Sequence, residues 1–129
     1  MPKSKIDFDT VRKIGLTLPG VEESRAYGQP VLKVHGALFA GLAAHSSAEP
    51  GSLFLRVDID DRAELLSAAP DVYYVTDHYA PGSAVLVRLS RINADLLRDL
   101  LGMAHKFVTA NMPRNPPSSK RKTSGRKKG

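Results

Sequence analysis

Leu18-Pro19-Gly20-Val21-Glu22-Glu23, and then Tyr27-Gly28-Gln29-Pro30-Val31-Leu32-Lys33-Val34-His35-Gly36-Ala37-Leu38-Phe39-Ala40, is the stretch on which the fold turns. Pro19-Gly20 stops a preceding helix, and Gly28-Gln29-Pro30 has the composition of a turn. Residues 31–35 and 37–42 then read as two antiparallel strands joined at His35-Gly36, where glycine can supply a positive φ. Strand alternation puts Leu32 and Val34 on the core face and turns Val31, Lys33 and His35 the other way. Residues 22–27 fit either a short strand or an extended connection.

Upstream, Phe8, Val11, Ile14 and Leu18 recur at near-helical spacing behind Asp7, a suitable N-cap, so a first helix precedes Pro19. Downstream, residues 52–58 form a third strand with Leu53, Leu55 and Val57 on one face and Arg56 on the other. Asp61-Arg62-Ala63-Glu64 has capping-box spacing and predicts a short helix carrying Leu65 and Leu66 that ends before Pro70. Residues 72–76 and 84–89, rich in aromatic and β-branched side chains around the Pro81-Gly82 turn, predict a second hairpin. Asn93 caps the longest helix, whose stripe of Leu96, Leu97, Leu100, Leu101, Ala104, Phe107 and Val108 must cover a sheet. The expected fold class is α+β: an antiparallel sheet with two β-hairpin wings and helices packed on one face, approximately α-β-β-β-α-β-β-α.

At 129 residues with 42% hydrophobic content the chain has room for one domain with a modest core. The expected boundaries are a flexible N-terminus over 1–5, the domain over 6–112 and a disordered basic tail over 113–129. There is no cysteine, so disulfides and thiolate ligands are excluded. No apolar run approaches the roughly 18 residues of a membrane span, and no basic-then-apolar leader is present. The chain is therefore expected to be cytoplasmic and monomeric, with no membrane partner. The net charge of +6 is unevenly placed. Seven basic residues (Arg114, Lys120, Arg121, Lys122, Arg126, Lys127 and Lys128) and no acidic one follow Pro113, leaving 12 basic against 13 acidic residues before it. The positive charge thus belongs to a stretch with no apolar residue to support a fold.

Motifs for chemistry are sparse. His35, His45, His78 and His105 lack the i, i+4 helical pairing of a zinc site, so no metal is expected. Gly36-Ala37-Leu38-Phe39-Ala40-Gly41 has glycines at P-loop spacing without the following Lys-Ser/Thr. Asp58-Ile59-Asp60-Asp61 opens like a calcium loop but lacks the glycine at its sixth position. No nucleophile with a positioned base and no paired carboxylates are specified, so the chain is expected not to be an enzyme and to need no cofactor. Lys33, Arg56 and Arg88 stand out as charges inside otherwise apolar strands, and their faces must meet solvent or a ligand.

The opening stretch, with Lys33-Val34 and Gly36, Leu38-Phe39-Ala40, the apolar third strand, His78, residues 85–89 and the final helix, resembles the MmcQ/YjbR-like family of small bacterial proteins. The resemblance covers most of residues 8–108. It implies a frataxin-related α+β layout with a double wing, on which some members are described as DNA-binding. Carried over, it places Lys33, His35 and Arg56 on the exposed side of the first wing and Arg88 on the second. Frataxins hold iron on a carboxylate-rich helix. Here the equivalent helix offers only Asp7 and Asp9 before Arg12 and Lys13. Two further departures concern aromatics: Ala84-Val85 stands where the family often has Trp, and Ala104-His105 where it often has Ser-Tyr. The leading expectation is a DNA-binding module whose phosphate contacts come from Lys33, His35, Arg56, Arg88 and Arg91. Lys120, Arg121, Lys122, Arg126, Lys127 and Lys128 would add to them from the tail. The alternative is a protein-interaction or adaptor domain that takes its partner on the exposed sheet face or on an edge strand.

Overall fold

In a computed structural model, which describes residues 6–111, the chain runs α1 (Phe8–Gly15), β1 (Val21–Ala26), β2 (Gln29–Val34), β3 (Ala37–Leu42), β4 (Ser52–Arg56), α2 (Ile59–Ala68), β5 (Tyr73–Tyr74), β6 (Ala84–Arg88), a 3-10 turn (Leu89–Arg91) and α3 (Ala94–Ala110). The fold class is α+β, as the sequence predicts. The expected termini, 1–5 and 113–129, lie outside the described residues. The strands form one antiparallel sheet in the order β1-β2-β3-β4-β6-β5. Of residues 22–27, left open by the sequence, 22–26 belong to the edge strand β1 and Tyr27 begins the turn that follows it. No helix of the described residues is long and apolar enough to cross a membrane.

Two hairpins at the start of the sheet rest on turns of the same kind. Tyr27 and Gly28 have φ of 54° and 80°, and His35 and Gly36 have 51° and 85°. Positive φ at both central residues of a two-residue loop marks a type I′ turn, whose twist matches that of the flanking strands. The first turn is thus Tyr27-Gly28, not Gly28-Gln29-Pro30 as expected, because Gln29 and Pro30 already pair with Ala26 and Arg25. In the second hairpin the pairing shifts between Leu32 and Lys33, from Leu32↔Ala40 to Lys33↔Leu38. Phe39 is the extra residue of this bulge, and both it and Ala40 enter the core.

The core lies between one sheet face and helices α1 and α3. Leu32, Val34, Leu53, Leu55, Val85 and Val87 supply the sheet side, and Val11, Leu97, Leu100, Leu101 and Ala104 the helix side, all almost fully buried. Both helices are capped as their sequences suggest. Asp7 accepts from the Thr10 N–H at 3.2 Å and Asn93 from the Leu96 N–H at 2.8 Å.

Helix α2 departs from expectation. It starts at Ile59, behind Asp58, rather than with an Asp61–Glu64 capping box, and Asp58 makes no side-chain cap bond. Asp60 and Asp61 instead occupy the first turn, where carboxylates are favoured by the helix dipole. No residue of α2 is fully buried. Arg62 ties it down, donating to the carbonyls of Ala80 at 3.2 Å, Gly82 at 2.8 Å and Ala84 at 3.0 Å. The second hairpin is also shorter than expected, because β5 pairs with β6 through Tyr73↔Val87 and Tyr74↔Leu86 alone. After Tyr74 the chain turns back, with Thr76 accepting from Tyr79 and Ala80.

Candidate functional site

The sheet face away from the helices is not a uniform polar surface. Its register aligns one residue from each strand in the row Ser24, Val31, Gly41, Phe54, Leu86 and Tyr74. Gly41 leaves room for the Val31 side chain to pack across the row, since a Cβ there would fall 2.5 Å from Val31 Cγ1. Beside this row opens a cleft of about 420 Å³ floored by Val31, Leu38, Leu42 and Phe54. Val31 is only 3% exposed although it points away from the core. None of the eleven lining residues is Asp, Glu, Lys or Arg, and five are aromatic rings (Tyr27, His45, Phe54, His78 and Tyr79).

Two loops build one wall. The β3–β4 loop brings His45 and the β5–β6 loop brings His78, and their imidazoles stack with centroids 3.6 Å apart and planes within 6°. Tyr79 meets His78 edge-on at 4.8 Å and leans on Phe54 at 5.9 Å. Its Oη accepts from the His45 backbone N–H at 3.2 Å, which leaves the phenolic proton available to another acceptor. The Ser47 N–H donates to His45 Nδ1 at 3.1 Å, so the neutral imidazole carries its proton on Nε2. Ser47 Oγ lies 2.8 Å from the same Nδ1 and 2.8 Å from Thr76 Oγ1, which joins the two loops. At the opposite rim Tyr27 projects from its turn, 92% exposed.

The cations singled out in the sequence are dispersed around this cleft. Lys33 is half-buried and stands in register with Glu22 on β1. The His35 N–H donates to the Gly20 carbonyl at 3.2 Å, and its ring occupies the space a Cβ on Gly20 would need. Arg56 donates from Nε to the Ser83 carbonyl at 3.3 Å. Arg88 is the most engaged. It donates to both Glu49 carboxylate oxygens at 3.0 and 2.7 Å and to the carbonyls of Pro70 and Asp71, and lies 4.3 Å over the Tyr74 ring. That hydrogen bond, with the charges of Arg88 and Arg91, holds the Glu49 carboxyl below the usual carboxylate range against a smaller opposing effect of burial. Glu49 in turn raises the Arg88 guanidinium. Arg91 is exposed, 3.7 Å from Asp71.

Arg56 and Arg88 sit at opposite ends of the β4–β6 ladder, since Arg56 pairs with Ala84 and Arg88 with Ser52. That separation is roughly 13 Å along the strand. The tail positions Lys120, Arg121, Lys122, Arg126, Lys127 and Lys128 lie outside the described residues. Residues 6–111 themselves carry ten basic and thirteen acidic side chains. Of the Ala104-His105 pair, Ala104 is buried against the sheet, and His105 Nε2–H donates to the Pro19 carbonyl, 2.7 Å away, with Phe39 edge-on to its ring. Among the described residues no three His, Asp or Glu side chains gather as a metal site would.

Sequence reasoning missed the His45–His78 stack and the cleft it borders. The two histidines are 33 positions apart on separate loops, and only the register that joins β4 to β6 rather than to β5 brings those loops together. A signal was present in the adjacent rings of His78-Tyr79, placed in a loop rather than on a core-facing stripe.

A family model described as YjbR matches residues 16–107. The crystal structure of the Deinococcus radiodurans protein DR2400, with domain DUF419, is similar at a TM-score of 0.69 and 24% identity, covering 86% of this chain and 84% of that one. That likeness is one of fold. No curated protein matches the chain.

Proposed function

This chain belongs to the YjbR family, and we propose that it is a non-enzymatic binding module whose recognition site is the cleft on the open sheet face. The observation that carries this reading is the cleft itself, an apolar floor with one donor-bearing wall, of a size that suits a small ligand. A non-catalytic role is supported by the setting of the Ser47–His45 contact. It forms inside a local turn, its Nδ1 also accepts a backbone N–H, and no carboxylate hydrogen-bonds His45 among the described residues. Protein docking by strand addition is less favoured, because the edge strand β1 carries Glu22, Glu23 and Arg25.

A screen of small fragments by thermal unfolding of the full chain tests this reading, since a ligand that binds only the native state raises Tm. The expected result is a set of compounds that raise Tm in the wild type and fail to do so in Leu38→Gln. Compounds that act equally on both proteins would place recognition elsewhere.

Contact with DNA phosphates is the second reading, favoured by the seven cations after Pro113. The excess of acid in residues 6–111 and the Arg88–Glu49 pair restrict the part that the sheet face can take in it. Seven engaged cations would give a slope of log affinity against log salt no steeper than about −6 on duplex DNA. If the tail alone carries this contact, replacing its seven cations by Gln abolishes binding. Binding that survives the replacement would restore the wing residues Lys33, Arg56 and Arg88 as contacts.

A further inference from the structure

Hydrogen-bond donors gather on one wall of the cleft. His45 Nε2–H and the Tyr79 hydroxyl proton are donors, and His78, which makes no hydrogen bond to another described residue, adds one N–H together with the acceptor nitrogen of a neutral imidazole. No carboxylate lines the cleft, and no lysine or arginine competes for an acceptor. Below the donors lies an apolar floor whose rings stand at different angles, with Phe54 tilted 46° to Tyr79 and Tyr79 at 86° to His78. Rings in offset and edge-on arrangements offer both faces and edges to a further ring. A cleft of about 420 Å³ is small for a peptide segment and matches one or two fused rings.

Resting on the cleft reading above, we propose that this site takes a compact aromatic carboxylic acid. The ring lies on Val31, Leu38 and Phe54, and the carboxylate accepts from His45, His78 and Tyr79. The class follows from the lining. A cationic ligand would find no counter-charge, a polyanion such as a nucleotide would find no fixed positive charge, and a purely apolar ligand would make no use of the donors that water otherwise satisfies on the exposed His45 and His78. A carboxylate satisfies all three donors through hydrogen bonds that are charge-assisted on its own side.

The test is isothermal titration of the full chain with indole-3-acetate and, separately, with indole-3-acetamide, which keeps the ring and removes the charge. Indole-3-acetate should bind with a Kd between roughly 10 µM and 1 mM, and the amide about tenfold more weakly. His78→Ala, on an exposed loop and away from the core, should lower affinity for the acid about tenfold and leave the amide within about twofold. Leu38→Gln should weaken both. Equal binding of acid and amide, unaffected by His78→Ala but lost in Leu38→Gln, would overturn the acid assignment and leave the cleft reading in place. Binding of both compounds that is unchanged in Leu38→Gln would overturn the two together, as would no binding of either.

Discussion

Single residues decide whether a charge on this protein is available. Lys33, Arg56 and Arg88 look alike in sequence, each a cation within an apolar strand. In the fold Arg88 is held by Glu49, 39 positions away, together with two carbonyls and the Tyr74 ring. The pair also makes stability depend on pH. Because Arg88 lowers the folded-state pKa of Glu49, its contribution is present above about pH 4.3, the unfolded carboxyl value, and is lost as pH falls through the lower folded value. Glu49→Gln should therefore flatten the loss of urea stability between about pH 5 and 3 relative to the wild type. A parallel decline in both proteins would show that the pair contributes nothing. The cations were legible in the sequence and their partners were not, because a partner is fixed by the register of distant strands. The acids that accompany Lys33 and Arg88, Glu22 and Glu49, lie eleven and 39 positions earlier in the chain.

At the scale of elements, periodicity identified α1, β2, β3, β4, β6 and α3, together with both helix caps. Their signals are local: a 3.6-residue stripe, a 2-residue alternation, an Asp or Asn before the first turn. The shift at Leu32/Lys33 left no such mark, nor did the true start of α2, where Asp61-Glu64 has capping-box spacing but the helix begins behind Asp58. Helix α3 is the element on which the sheet rests. Leu100, 1% exposed, should cost about 2–5 kcal/mol in urea unfolding when replaced by alanine. Helix α2 plays a different part, holding the 80–84 segment through the fork of Arg62. Arg62→Ala should lower stability by about 1–3 kcal/mol and speed amide exchange over residues 76–83, the loop that carries the cleft wall. Arg62→Lys should recover little, since an ammonium cannot span three carbonyls as the guanidinium does. Unaltered exchange in that loop would show that Arg62 does not position it.

For the whole molecule, the distribution of charge and of apolar surface point to different partners. The seven cations after Pro113 are adhesive toward any polyanion, whereas the described residues carry more acid than base and open an uncharged cleft on the free sheet face. Sheet faces are commonly covered on one side and solvated on the other, and this chain departs from that by burying Val31 and Leu86 on its second face. Alternation alone could not show it, because Val31 and Leu86 read equally well as residues of a strand buried on both faces. The β3–β4 and β5–β6 loops reach the cleft on this face through His45, His78 and Tyr79. Recognition at this cleft is open to direct measurement. The most direct test maps amide chemical shifts of the full chain on adding indole-3-acetate, then duplex DNA at about 150 mM salt, a concentration at which exposed charges are screened within about 8 Å. The acid is expected to shift Val31, Leu38, Phe54, His78 and Tyr79, whereas DNA is expected to leave those residues and Lys33, Arg56 and Arg88 in place. DNA-dependent shifts at Lys33, Arg56 and Arg88, with the cleft unmoved by the acid, would contradict recognition at the cleft.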